Sequence, residues 1–207
     1  MKKVFNLIIV DESGSMSIIQ QQAFAGMNET LTTIRKMQEQ HPDMEQRVTL
    51  LTFDSDHKTY KYDNVAAKDT HDLSPKDYNP GGATPLYDAM GLCISKLNAI
   101  VESDDKVLVT VITDGEENCS TEWTLKMIRT LIEKLKKENW TFTLIGTDNL
   151  DVEGMAHSMA IDEHLQFHED AEGTRQMFEC ERRSRSRFMS RVAACEEAPA
   201  GTFFSES

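Results

Sequence analysis

The sequence predicts an α/β fold in three layers, an open and mostly parallel sheet with helices on both faces. Three observations carry this expectation. Apolar runs of strand length, VFNLIIV at 4 to 10, RVTLLTFD at 47 to 54, KVLVTVIT at 106 to 113 and WTFTLIGT at 140 to 147, read as strands covered on both sides. Segments with apolar residues at helical spacing separate them, which is the pattern of parallel strands joined by crossover helices. Two of the runs stop at an aspartate, Asp11 and Asp114, and open sheets of this kind hold ligands beyond the carboxyl ends of their strands.

After the first strand and the turn Ser13-Gly14-Ser15, the positions Phe24, Met27, Leu31 and Ile34 predict a helix over 17 to about 39, ended by His41-Pro42. The run at 47 to 54 is followed by a turn at 55 to 57 and by KTYKYD at 58 to 63, whose charge suits an edge strand in a hairpin. Residues 64 to 83, with Pro75, Pro80, Gly81 and Gly82, read as a long loop, and loops of that length in compact domains are commonly functional. Thr84-Pro85 reads as an N-cap with proline at the first helical position. Leu86, Met90, Cys93, Leu97 and Ile100 then trace one apolar face. Beyond the strand at 106 to 113, Leu125, Ile128, Leu131 and Leu135 mark a helix over about 121 to 138. A short helix at 151 to 159, a short strand at 164 to 168 and a helical remainder to about 195 complete the chain. The expected division is a domain over 1 to 170, a C-terminal helix over 171 to 195 and a flexible tail over 196 to 207.

A chain of 207 residues suffices for one domain with a sizeable core. The net charge of −13 disfavours broad binding to a phosphate backbone. The charge is uneven, because residues 175 to 191 hold six Arg against two Glu. Arg182, Arg183, Arg185, Arg187 and Arg191 therefore read as a solvated helix face or a docking surface for an acidic partner. Nucleic acid is the weaker alternative, since Phe178 and Phe188 are the nearby aromatics and no nucleic-acid motif accompanies them. Cys93, Cys119, Cys180 and Cys195 form no CxxC pair, and the N-terminus reaches an acidic turn before a signal-peptide core is complete. A cytoplasmic protein with buried thiols is expected.

The strongest local signal is Asp11-Glu12-Ser13-Gly14-Ser15. An aspartate and two hydroxyls at alternating positions of a tight turn can aim three oxygens at one centre; a capped strand-to-helix turn is the plainer alternative. Thr84, after Gly81 and Gly82, adds a hydroxyl, and Asp114, before Gly115, adds a carboxylate. Hard oxygens of this kind suit Mg²⁺, and the neutral hydroxyls leave such an ion able to take one more anionic oxygen. Glu116 and Glu117 read as acids at the rim of the site or as ordinary loop acids, and Asp88 as an acid supporting it from behind or a surface residue. His57, His71, His164 and His168 lack zinc spacing, and Trp123 and Trp140 read as packing residues.

In the pattern DxSxS, then Thr, then Asp, the sequence resembles the von Willebrand factor type A domains. The strings IIVDESGSM, NPGGATPLYDA and VITDGEEN are similar to the bacterial intracellular branch of that family. The resemblance, over about residues 3 to 168, implies sheet order 3-2-1-4-5-6 with an antiparallel edge strand. It also implies a metal-ion-dependent adhesion site of Asp11, Ser13, Ser15, Thr84 and Asp114, holding Mg²⁺ with Mn²⁺ or Ca²⁺ as alternatives. Family membership implies binding rather than catalysis: a partner protein's Asp or Glu carboxylate completes the shell, and any ATPase or kinase activity belongs to another polypeptide. Two other classes stand beside it. A phosphatase of the haloacid dehalogenase type needs a second Asp where Ser13 stands, and a serine hydrolase needs G-x-S-x-G where the chain has D-E-S-G-S-M. A structural domain with a vestigial site is the third.

Overall fold

A computed structural model describes residues 2–196 and 201–205. The elements are β1 (Lys2–Asp11), a 3-10 turn (Gly14–Ile19), α1 (Gln20–Gln40), β2 (Met44–Phe53), β3 (Lys58–Ala66), α2 (Leu86–Asn98), β4 (Lys106–Thr113), α3 (Leu125–Leu135), β5 (Trp140–Thr147), α4 (Val152–Ser158), β6 (Glu163–Phe167) and α5 (Ala171–Ala193). The six strands lie in the order β3-β2-β1-β4-β5-β6, and β3 is antiparallel to β2 while the other pairs are parallel.

β1 sits between β2 and β4, so both of its faces are covered and its side chains divide by alternation. Phe5, Leu7 and Ile9 join Val107, Val109 and Val111 of β4 under α2, α3 and α4. Ile8 and Val10 join Leu50, Ile112 and Ile145 under α1 and α5. The crossover from β1 to β2 through α1 and the one from β3 to β4 through α2 thus lie on opposite faces, and a crevice opens where β1 and β4 end side by side.

Several boundaries move from the sequence reading. The helix expected from 17 starts at Gln20, because the chain leaves the Ser13 turn through one 3-10 turn that buries Met16 and Ile19. β2 starts at Met44, which is buried at the sheet edge of a small cluster with Met37 and Val4. The helix expected from 121 starts at Leu125, capped by the Thr124 hydroxyl, which accepts from Met127 N. Thr84 is not the cap of α2: Pro85 takes that position without a side-chain bond. The first-turn N–H groups of Tyr87 and Asp88 donate instead to Glu117 Oε2 at 2.9 Å and Ser120 Oγ at 3.0 Å, from the loop after β4.

The C-terminal region departs further. Arg185, expected in a docking surface, is fully buried under α5. Its Nε donates to Glu181 Oε1 at 2.7 Å, Nη1 to Asn6 Oδ1 at 2.7 Å and Nη2 to Thr110 Oγ1 at 2.9 Å. Asn6, the polar residue inside the β1 apolar run, also donates to Gln46 Oε1 at 3.1 Å. A charge taken out of water requires such partners, and these pin α5 to the two central strands. Phe178 is likewise no exposed stacking platform, for its ring fills the space over Gly26 of α1, where an added Cβ would lie 2.1 Å from it. Of the tail expected to be flexible, residues 201–205 return to the body, with Phe203 buried and its N–H and that of Thr202 donating to the Glu163 carboxylate. Positions 197–200 and 206–207 lie outside the described residues.

Removing the Arg185 guanidinium leaves the Glu181 carboxylate buried and unneutralised. Arg185→Ala is therefore expected to cost about 3–5 kcal/mol of stability. The double replacement Arg185→Met, Glu181→Leu, which removes both charges, should cost less than the single one. Urea unfolding of the two variants beside the unmodified chain reads the difference, and equal losses would count against this account.

Candidate metal centre

Register sets the centre. Val10 pairs with Ile112, so Asp11 leaves β1 beside Thr113, and the Thr113 hydroxyl donates to Asp11 Oδ2 at 2.6 Å. The other carboxylate oxygen accepts from Ser13 N at 2.7 Å, which closes the turn. The buried Tyr78 reaches across from the long loop, and its hydroxyl donates to the Asp11 carbonyl at 2.7 Å. Asp11 is therefore held at both carboxylate oxygens and at its backbone.

The turn brings the two serines together, with Ser13 Oγ and Ser15 Oγ 3.3 Å apart, and Ser15 Oγ donates to Asp114 Oδ1 at 2.8 Å. Ser13 and Asp114 are buried and Ser15 is exposed, so the cluster opens to solvent on the serine side. Thr84 comes from the loop before α2. Its N–H donates to Asn118 Oδ1 at 2.9 Å, and its carbonyl accepts from Asn118 N at 3.2 Å. Its hydroxyl faces Gly115, where an added Cβ would stand 2.9 Å from Thr84 Oγ1. The absence of a side chain at Gly115 is what lets that hydroxyl lie against the residue next to Asp114.

The loop carrying Thr84 is fastened to the Asp11 turn. Gly81 N donates to the Glu12 carbonyl at 2.8 Å, Gly14 N to the Gly82 carbonyl at 3.1 Å, and Asn79 N to Glu12 Oε1. Gly82 has φ +69, a conformation that suits glycine, and a Cβ there would meet Ser55 Oγ at 2.5 Å. Thr84 itself is buried. The loop that carries it is thus strapped to the Asp11 turn, in spite of its two glycines.

The electrostatics of the centre are those of anions held out of water. Burial pushes the Asp114 pKa up to about 6, with the charges of Asp11 and Glu169 adding to the rise, against the bond from Ser15. Burial also raises Asp11 in spite of the bonds from Thr113 and Ser13. Asp114 Oδ2 is buried with no hydrogen-bond partner among the described residues. An unpaired buried carboxylate oxygen costs free energy, and two carboxylates with three hydroxyls are hard oxygen donors that fit a divalent cation. The donor set and the orphaned oxygen agree.

The remaining candidates fall elsewhere. Glu117 is not a rim acid: its carboxylate accepts from Tyr87 N, Cys119 N, Ser120 N and Ser120 Oγ, and so builds the loop. Glu116 is exposed on that loop. Asp88 is buried and accepts from Thr121 N, Glu122 N and Trp123 N, at 2.9, 2.9 and 2.7 Å. Burial works against its charge, yet those bonds outweigh it and hold its pKa below the usual value. Asp88 thus anchors the loop after β4 and makes no bond to the five oxygen donors. Tyr78, Thr113 and Asn118 were not singled out from sequence. Of these only Thr113, one residue before Asp114 at a strand end, stood where a supporting hydroxyl could be sought.

An open sheet with a carboxylate and hydroxyl cluster beyond the ends of two adjacent central strands, at its topological switch point, is the arrangement in which α/β domains hold ligands. The chain belongs to the von Willebrand factor type A domain family, whose model matches residues 7–179. The match extends into α5. No curated protein matches the sequence. Among solved structures, proximal thread matrix protein 1 from the mussel byssus is similar at 13% identity and TM-score 0.59, covering 86% of this chain and 44% of that one. The pilus adhesin SpaC of Lactobacillus rhamnosus GG is similar at 14% identity and TM-score 0.67, covering 93% and 30%. The vWF domain of the type V pili tip protein Mfa5 of Porphyromonas gingivalis is similar at 10% identity and TM-score 0.65, covering 96% and 97%. The chain thus spans less than half the length of the first two. The mussel protein has also been solved with zinc occupying its MIDAS motif.

Two expectations follow from the geometry. Gly115→Ala should displace the Thr84 hydroxyl and weaken divalent-cation binding at the candidate centre on the order of 10-fold with the fold retained, as calorimetric titration would read; unchanged affinity would count against a Thr84 donor. The second concerns pH. A carboxyl whose folded pKa is raised holds its proton more tightly folded than unfolded, so stability falls as pH climbs from the ordinary 3.8 toward about 6. Metal-free protein should lose melting temperature across that window, and Asp114→Asn should flatten this part of the profile. Parallel profiles for the two proteins, measured in EDTA, would refute it.

Proposed function

We propose that the chain is a metal-dependent protein-interaction module in which Asp11, Ser13, Ser15, Thr84 and Asp114 form a metal-ion-dependent adhesion site. The observation that carries this reading is the buried, unpartnered Asp114 Oδ2 at the mouth of two neighbouring strand ends. Ser13, Ser15 and Thr84 present neutral oxygens, Asp114 a carboxylate oxygen, and Asp11 a second carboxylate whose orientation Thr113 and Ser13 set. When bound, the cation supplies an electrophilic position for one further anionic oxygen. Mg²⁺ is the ion the hard donors suit best, with Mn²⁺ or Ca²⁺ as alternatives, and the incoming oxygen is a partner protein's Asp or Glu carboxylate.

The surface beside the centre fits such a partner. Ile18, on the 3-10 turn that follows Ser15, is 67% exposed, a large apolar side chain beside the solvent-facing serine. Among the described residues no histidine bonds to Ser13 or Ser15, and the group that accepts from Ser15 Oγ is the Asp114 carboxylate, one of the proposed metal donors. The proposed role is binding, any chemistry residing in the partner. Arg182 and Arg183, exposed on α5, are a second contact for an acidic partner surface. The four cysteines are unpaired, in keeping with a cytoplasmic setting. No helix among the described residues is long and apolar enough to cross a membrane.

Because the donors come from three distant parts of the chain, metal binds the folded state almost alone. At free Mg²⁺ ten times the dissociation constant the linkage is about 1.4 kcal/mol, or about 3–6 °C in melting temperature. Asp11→Ala should abolish the shift. Partner capture from lysate should be lost in EDTA and in Thr84→Ala with the fold intact, whereas EDTA-resistant capture together with a silent metal titration would overturn the proposal.

A further inference from the structure

The other end of the sheet carries a second concave site. The first residues of β5, the last turns of α5 and the returning segment 201–205 surround a cavity of about 320 Å³, a volume at the low end for small-molecule pockets. The returning segment is tied by Thr202 N and Phe203 N, which donate to the two Glu163 carboxylate oxygens at 3.0 and 2.8 Å. That places Phe203 opposite the half-buried Phe188, their ring centroids 6.1 Å apart.

Among the described residues, the charge around this cavity reverses that of the molecule. Lys106, Lys136, Lys137, Arg187 and Arg191 line it against Asp162, Glu163 and Glu196. Lys136 is paired with Asp162, Glu163 is occupied by backbone N–H groups, and Arg187 donates to Ser184 Oγ at 3.1 Å and the Phe203 carbonyl at 3.4 Å. The side chains of Lys137 and Arg191 have no hydrogen bond or ion pair among the described residues. In a chain with 35 acidic and 22 basic residues, two cations without partners in one concavity focus positive potential there.

We propose that this cavity binds a small amphipathic anion, its apolar and preferably aromatic body against Phe188 and Phe203 and its carboxylate, sulfonate or phosphate between Lys137 and Arg191. The Arg191 guanidinium suits an oxyanion because its planar fork can donate two parallel bonds. The site is independent of the metal centre, which lies at the carboxyl ends of the same strands.

The probe is 8-anilinonaphthalene-1-sulfonate, with the neutral N-phenyl-1-naphthylamine beside it, titrated against the full chain in EDTA. One saturable site is expected for the anionic dye, with affinity at least tenfold lower in Lys137→Glu, Arg191→Glu. The neutral dye should bind more weakly than the anionic one and ignore the charge reversal. Amide shift mapping on the unmodified chain should place the anionic dye at 184–192 and 201–205, a readout that needs no variant to fold. No binding, equal affinity for the two dyes, indifference to charge reversal or shifts elsewhere would each overturn the proposal.

Discussion

The parallel pairing of β1 with β4, with Val10 opposite Ile112, is the constraint on which the rest depends. It brings the ends of two apolar strands together, and each apolar run stops at an aspartate. Two carboxylates are thereby held in a crevice that both layers of helices help to dry. Burial then does the electrostatic work, raising Asp114 to about 6 and leaving one of its oxygens without a donor. A shift of β4 by one residue would turn Thr113 and Asp114 to opposite sides of the sheet, because side chains alternate along a strand. The register that packs the core also composes the centre.

The loops are built to serve that register. The Asp11 turn, the strap of residues 79 to 84 and the loop after β4 each lack regular structure, yet their backbone groups bond to one another. Glu12 accepts from the strap, Glu117 and Ser120 accept from the first turn of α2, and Asp88 accepts from the loop after β4. Glu117, which its position would place at a metal rim, and Asp88 are consumed in holding backbone, whereas Glu116 stays exposed. This division of labour leaves Asp11 and Asp114 as the carboxylates of the candidate centre and Ser15 as its solvent-facing side.

The two ends of the sheet differ in character. At the carboxyl ends, anions crowd around a buried oxygen without a partner. At the amino ends of β4 and β5, cations gather beside α5 and the 201–205 segment. The buried Arg185 lies between them, joining α5 through Asn6 and Thr110 to the same two strands that carry Asp11 and Asp114. The helix that forms a wall of one site is thus fastened to the strands that form the other. α5 is an integral layer of the domain, in agreement with a family match that runs to residue 179.

The sequence by itself determined the fold class, the four central apolar strands and the order of elements, and it named five candidate oxygen donors, since strand burial and motif spacing are local patterns that survive in one dimension. Boundaries shifted by a few residues wherever a turn or a cap depended on a distant group, as at Gln20, Leu125 and Pro85. Only the tertiary structure decided what each charge does. Arg185 and Arg182 look alike in a run of arginines, but one falls on the inward face of α5 opposite Asn6 and the other in solvent. Asp88, Glu117 and Asp114 are equally acidic in the sequence, and the groups bonded to them, from residues about 30 to 100 positions away in several cases, separate two loop anchors from a carboxylate of the candidate centre. Hydrogen bonds across such separations have no periodicity to reveal them, so the role of a polar residue here was settled by what the fold carried to it.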